Sequence, residues 1–194
     1  YPPAAPDPAQ PPVEVAGRKV WAAPLPADPA RAPIRNLWIG GARAPRARLP
    51  REGTFTIAEL PDVDAKTLWH AGQTRFRAAA GDLPASESWT GAEVVALHFW
   101  VASRMPVLSF DPAERMVALG RRSIFRLTSD HAPRPARYWV ENLPEALDVP
   151  GSWVHDARNG RILYAPRPGD ALERLEAVGD ARREIEGHRP QGQA

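Results

Sequence analysis

From Val13 the chain reads VEVAGRKVWAAPL, alternating apolar and polar positions with the two-residue period of a half-buried strand. In RNLWIGGARAPRARLP, residues 35–50, Leu37, Trp38 and Ile39 form a short apolar strand. Gly40-Gly41 is a tight turn, and 42–47 is a returning strand with arginines on alternate positions. Further short strands are predicted from TFTIAEL (54–60), TRFRAAAG (74–81), MVALG (116–120), SIFRLT (123–128) and ARYWVENL (136–143). Residues 61–72 between them read as a loop or a single helical turn.

EVVALHFWVASRMPVLSFD, 93–111, is the longest apolar-rich stretch. Val94, Ala96 and the pair Phe99-Trp100 fit strand spacing, and Pro106 is expected to cut the run near its middle. A hairpin closes the series: SWVHD, a turn at ARNG, then RILYA, with Asn159-Gly160 as the turn signal. Roughly nine or ten short strands at spacings of about 8–15 residues predict a mainly β fold, an antiparallel β-sandwich-like domain over 13–168. Residues 1–12, with six prolines, read as a linker. In 169–194, the spacing of Leu172, Leu175, Val178 and Ile185 predicts a short helical C-terminal tail, and the end is polar or disordered.

Composition narrows the function classes. With 43% hydrophobic residues and seven tryptophans, the chain can bury a core. A net charge of +2 makes no global case for nucleic acid. The absence of cysteine excludes disulfides and thiolate chemistry. No apolar run approaches the ~18 residues of a membrane span. The chain opens at Tyr1 rather than Met, so a processed, trimmed or fragmentary chain is the expectation, which leaves room for a lost export signal.

Candidate chemistry is sparse. Glu141, Glu145, Asp148 and Asp156 could supply the two carboxyls that glycoside hydrolysis needs ~5–10 Å apart. The competing reading is strand ends and turns, with Asp156 bonding its own hairpin loop. Arg43, Arg46, Arg48 and Arg51 read as a strand face whose arginines stack on aromatic rings, or as a basic edge for an acidic polysaccharide or phosphate. Among the tryptophans, Trp69, Trp89 and Trp153 are the candidates for exposed or groove positions that hold sugar. His70, His98, His131, His155 and His188 show no metal-ligand spacing, and no Gly-x-Ser-x-Gly or phosphate loop occurs. No catalytic residue, metal or cofactor is assigned.

RYWVENLPEALDVPGSWVHDARNGRILYAPRPGD (137–170) and the upstream LWIGGARAPRARLP resemble segments of secreted bacterial right-handed parallel β-helix proteins, among them β-xylosidase-like glycoside hydrolases. Ser152, Val154, Asn159 and Gly40 depart from that pattern. The resemblance implies a β-sandwich portion whose catalytic carboxylates lie on β-helix coils outside this chain. It implies an accessory, non-catalytic domain or fragment of an extracellular or periplasmic polysaccharide-active protein. Its partners would be a polysaccharide or oligosaccharide and a β-helix domain of the same or a neighbouring chain, not nucleic acid or a membrane. The alternative is a structural or interaction module that binds no sugar, for which Trp139 and Trp153 would be buried.

Overall fold

The computed structural model describes residues 12–15, 17–25, 34–86, 89–129 and 134–170, and the backbone of 175–179. The fold is mainly β, and its named strands pair antiparallel. β1 (Val13–Val15) and β2 (Arg18–Pro24) form a hairpin that turns through Gly17 at positive φ. β3 (Ile34–Ile39) and β4 (Ala42–Ala44) are joined at Gly40-Gly41, as the sequence predicts. β5 (Arg48–Leu49), β6 (Phe55–Thr56) and β7 (Arg75–Arg77) are short. β8 (Glu93–His98), β9 (Val101–Asp111) and β10 (Met116–Leu119) form a meander, followed by β11 (Arg137–Glu141). A single 3-10 turn at Pro144–Ala146 leads to the hairpin β12 (Trp153–Asp156) and β13 (Arg161–Tyr164), and then to β14 (Leu175–Gly179).

These strands make three sheets: β1-β2-β13-β12, β14-β3-β4, and β5-β11-β8-β9-β10-β7 with β6 also on β11. The first is the middle layer, which explains why Ile162–Tyr164 and Trp153-Val154 are unbroken apolar runs. Val20, Val154 and Leu163 face a large core shared with the third sheet. Ala23, Trp153, Ile162 and Tyr164 face a second core closed by Ile34, Leu37 and Ala44 of the β3-β4 hairpin. A strand that is dry on both faces loses the alternation of a half-wet one.

The large sheet also closes on itself. Residues 55–57 pair with β11 while Ala58 and Glu59 pair with β7, through Ala58 N–H to Arg77 O (3.0 Å) and Arg77 N–H to Glu59 O (2.9 Å). Closure joins the two edges of the sheet and removes an unpaired strand border. Val94, Ala96, Met105, Val117, Phe76, Tyr138 and Val140 fill the interior. By alternation Glu93, Arg104, Trp139 and Glu141 lie on the outer face, and that face carries the candidate site.

Three sequence expectations need correction. The break in 93–111 falls at Phe99-Trp100, the two-residue loop between β8 and β9, and Pro106 continues β9. Pro106 is tolerated because its missing N–H lies where β10 ends at a register shift, and its carbonyl still accepts the Gly120 N–H at 2.7 Å. SIFRLT forms no strand. Its polar groups are met by loop contacts, including Ser123 N–H to Gln73 O and Leu127 N–H to Gln73 Oε1. The helix expected from 169 onward is replaced at Leu175–Gly179 by β14, which covers the open edge of β3; the rest of the tail and residues 1–11 lie outside the described residues. Backbone pairing to a waiting strand edge outweighs the weak preference of a five-residue helical pattern.

Asn142 ties these layers together. It directly follows β11, is buried, and has φ 65°. Its Nδ2 donates to Gly91 O (2.9 Å) and His155 O (3.0 Å), its Oδ1 accepts the His155 N–H (2.7 Å), and its own N–H donates to Ala47 O (2.9 Å). Asparagine suits the position because it tolerates left-handed backbone and supplies both donor and acceptor. Asn142→Ala removes the three hydrogen bonds of a buried side chain and strains the backbone, so we expect a loss of about 3 kcal/mol in urea unfolding. Asn142→Gly loses the same bonds but keeps the backbone and should cost less; equal costs would refute the conformational share.

Candidate functional site

The outer face of the closed sheet meets the β3-β4 hairpin and the segment 45–47 at a cluster of arginines. Glu93 and Glu141 stand directly opposite each other on β8 and β11. Arg46 is placed by backbone pairing of its neighbours to β12, with Ala47 N–H to Trp153 O at 2.8 Å and Trp153 N–H to Pro45 O at 3.2 Å. Its side chain is buried, lies 5.8 Å from the Trp153 ring centroid, and bonds both Glu93 Oε2 and Glu141 Oε2 through Nη1, the latter at 3.4 Å. Arg35 donates to Glu93 Oε1 at 3.0 Å, and Arg104 donates to Glu141 Oε2 at 2.5 Å. Trp139 Nε1 donates to Glu141 Oε1 at 2.7 Å, and Arg48 stacks on the Trp139 ring at 4.7 Å. The expected stacking of alternate arginines on aromatics is therefore present, but Arg46 is buried, not solvated. A cleft of about 540 Å³ opens here, lined by Arg35, Arg43, Arg46, Arg48, Arg104 and Glu141 among others.

Electrostatics decide what the two glutamates can do. Burial pushes both carboxyls up, but hydrogen bonds and charge from Arg35 and Arg46 on Glu93 outweigh it, as do Arg104, Trp139 and Arg46 on Glu141. Both therefore sit below the ordinary carboxylate range. A general acid for glycoside hydrolysis needs the opposite displacement. The pair is held as an ionic contact by the surrounding arginines.

The other candidate carboxylates are dispersed. Glu145 accepts a hydrogen bond from Ser86, and Asp148 pairs with Arg18 (3.3 Å) and Arg51. Asp156 accepts from Asn159 Nδ2 (2.8 Å), Asn159 N–H (3.3 Å) and Arg161 Nε (2.8 Å), which is the turn-capping role. In that turn only Gly160 of the Asn-Gly pair takes positive φ. Glu93 was missed because an acid at the head of EVVALH carries no local sign that it faces Glu141. Among the described residues no group of three or more His, Asp or Glu comes together to hold a metal ion.

Of the three candidate tryptophans, only Trp69 offers a face. Trp153 is wholly buried and donates to Ala44 O at 3.2 Å; Trp89 is buried against Phe110 at 5.2 Å. Trp69 is 48% exposed and Trp100, which the sequence pattern placed inside a strand, is 68% exposed. Their rings lie 6.0 Å apart, and Phe125 packs at 5.0 Å from Trp69 and 5.2 Å from Trp100, with Phe99 and His70 beside them. Phe99 has φ 48° as the first of two loop residues, a left-handed backbone value at which glycine is favoured. A phenylalanine in that conformation costs about 1–2 kcal/mol. The strain is sustained at the tip that presents the rings, the kind of place where strain accompanies function.

Beneath this tip His98 is buried with Nε2 2.7 Å from Ser103 Oγ, which also accepts the Ile124 N–H at 2.9 Å. Burial lowers the imidazole from its ordinary 6.5. Both side chains are shut away from solvent, so the contact supports the loop and offers no nucleophile.

No family model matches the chain, and no curated protein matches it. A solved structure described as a glycoside hydrolase is similar to it, with a TM-score of 0.54 at 21% identity. The match covers 81% of this chain and 28% of that one, so the chain corresponds to less than a third of that protein's length. The likeness is one of fold: this β architecture is shared with part of a glycoside hydrolase.

The lowered carboxyls predict an acid profile. Their ion pairs stabilise the fold fully above pH ~4.5, the ordinary value, and the contribution disappears as pH falls through the depressed folded values. His98, held neutral, adds an earlier loss that begins as pH drops below 6.5, where the unfolded chain takes up its proton first. Urea unfolding against pH should show both descents. Glu93→Gln should lower stability at neutral pH by about 3 kcal/mol and flatten the lower descent alone; an unchanged profile would show that the pair carries no stability.

Proposed function

We propose that this chain is an accessory, carbohydrate-binding portion of a polysaccharide-active, glycoside hydrolase-like protein, and that it carries no acid–base pair of its own. The observation that carries this reading is the pair of exposed rings, Trp69 and Trp100, backed by the half-buried Phe125 and presented at a strained turn. Flat apolar rings with exposed faces complement the C–H faces of sugars. The shared fold supports it by placing the chain beside a glycoside hydrolase in architecture. The locked state of Glu93 and Glu141 supports the non-catalytic half. In this reading the hydrolytic carboxylates lie on a parallel β-helix in the same or a neighbouring chain, and the assembly works outside the cell.

Burial of Trp153 favours one other reading, a packing module that binds no sugar. Calorimetric titration with xylo-, fuco- and uronic-acid oligosaccharides separates the two. Binding to at least one series is expected, with Trp100→Ala weakening it about tenfold. Phe99→Gly relieves the turn, should leave the chain folded, and should still weaken binding. Absence of heat with every series would leave the packing module as the answer.

A further inference from the structure

We infer that the arginine cleft is a second saccharide site, selective for a sugar that bears an oxyanion, such as the carboxylate of a uronic acid. The inference deepens the polysaccharide reading and rests on it for the carrier of the charge.

Charge is the first ground. Five guanidiniums converge on the cleft, from Arg35, Arg43, Arg46, Arg48 and Arg104, and they meet two carboxylates, Glu93 and Glu141. Partnering is the second. Arg35, Arg46 and Arg104 are bound to those carboxylates, whereas Arg43 Nη2 donates to a neutral amide, Asn36 Oδ1, at 2.8 Å. Arg48 donates to the carbonyls of Pro50 (3.0 Å) and Gly53 and lies on the Trp139 ring. Among the described residues, Arg43 and Arg48 thus reach the cleft wall without a hydrogen-bonded carboxylate. Arg46 Nε is buried with no partner among the described residues. Gathered cations repel, and an incoming anion relieves that repulsion while accepting charge-assisted hydrogen bonds from guanidinium forks.

Shape is the third ground. At about 540 Å³ the cleft accommodates sugar rings as well as a lone anion, and it opens to solvent at the exposed Arg43. The three bound arginines are held by the ion contacts, so their donors are in place before a ligand arrives. Such preorganisation lowers the ordering cost of binding.

The test titrates the full chain with a galacturonate trimer, a xylose trimer, a sulfated trimer and inorganic sulfate. The galacturonate trimer should bind about tenfold or more tightly than the xylose trimer, with the advantage shrinking as salt rises. Arg43→Gln, an exposed change that leaves the ionic contacts intact, should remove most of that advantage and leave xylose binding unchanged. Arg48→Gln should do the same. Trp100→Ala, at the separate aromatic site, should weaken the xylose trimer and leave galacturonate binding at the cleft in place. Binding of the sulfated trimer alongside galacturonate upholds a site for saccharide oxyanions in general. Equal affinity for neutral and acidic trimers, or arginine variants that leave the ratio intact, would overturn the inference while sparing the broader reading. Inorganic sulfate as strong as either acidic trimer would overturn the saccharide assignment. Failure of every trimer to bind would overturn both.

Discussion

The buried guanidinium of Arg46 is the contact on which the rest of the structure depends. A cation in that position must be neutralised, and it is neutralised by Glu93 and Glu141 from two neighbouring strands. Those strands must therefore pair in the register that sets the two glutamates opposite each other. The segment carrying Arg46 must in turn lie between β12 and the end of β11. Backbone bonds from Ala47 and Trp153, and the clasp of Asn142, hold it there. One charged side chain thus ties the closed sheet, the middle layer and the β3-β4 hairpin into a single arrangement.

The same contact sets the limits of the chemistry. Carboxylates held ionised by arginines are poor acids, and a buried one is a poor nucleophile for a bulky sugar. What the fold offers instead is surface. At one place a strained loop carries exposed aromatic rings; at another, an ionic scaffold leaves guanidiniums facing a cleft. Both are surface features, and both are set by how the strands pack.

How much of this was legible depended on the range of the interaction. Hairpins at Gly40-Gly41 and Asn159-Gly160 follow from local turn chemistry, and both are present. The turn-capping role of Asp156 was readable for the same reason. The loop at Phe99-Trp100 was not, because a phenylalanine at positive φ violates the rule by which turns are recognised. Of the tryptophans singled out, Trp69 lies on the surface, while Trp89 and Trp153 are core residues. Indole identity is blind to which side of a sheet gets covered.

Strand character, hairpin turns and the mainly β class came from the sequence alone, because alternation and glycine conformations act over a few residues. The arginine motif also stood out by itself, though its reading stayed open between stacked face and anion edge. Closure of the large sheet, burial on both faces of β12 and β13, and the pairing of Glu93 with Glu141 across 48 positions were decided only in three dimensions. So was the replacement of a helical pattern by β14. Each depends on which surfaces meet after distant segments pack, and burial and charge neutralisation are properties of that meeting.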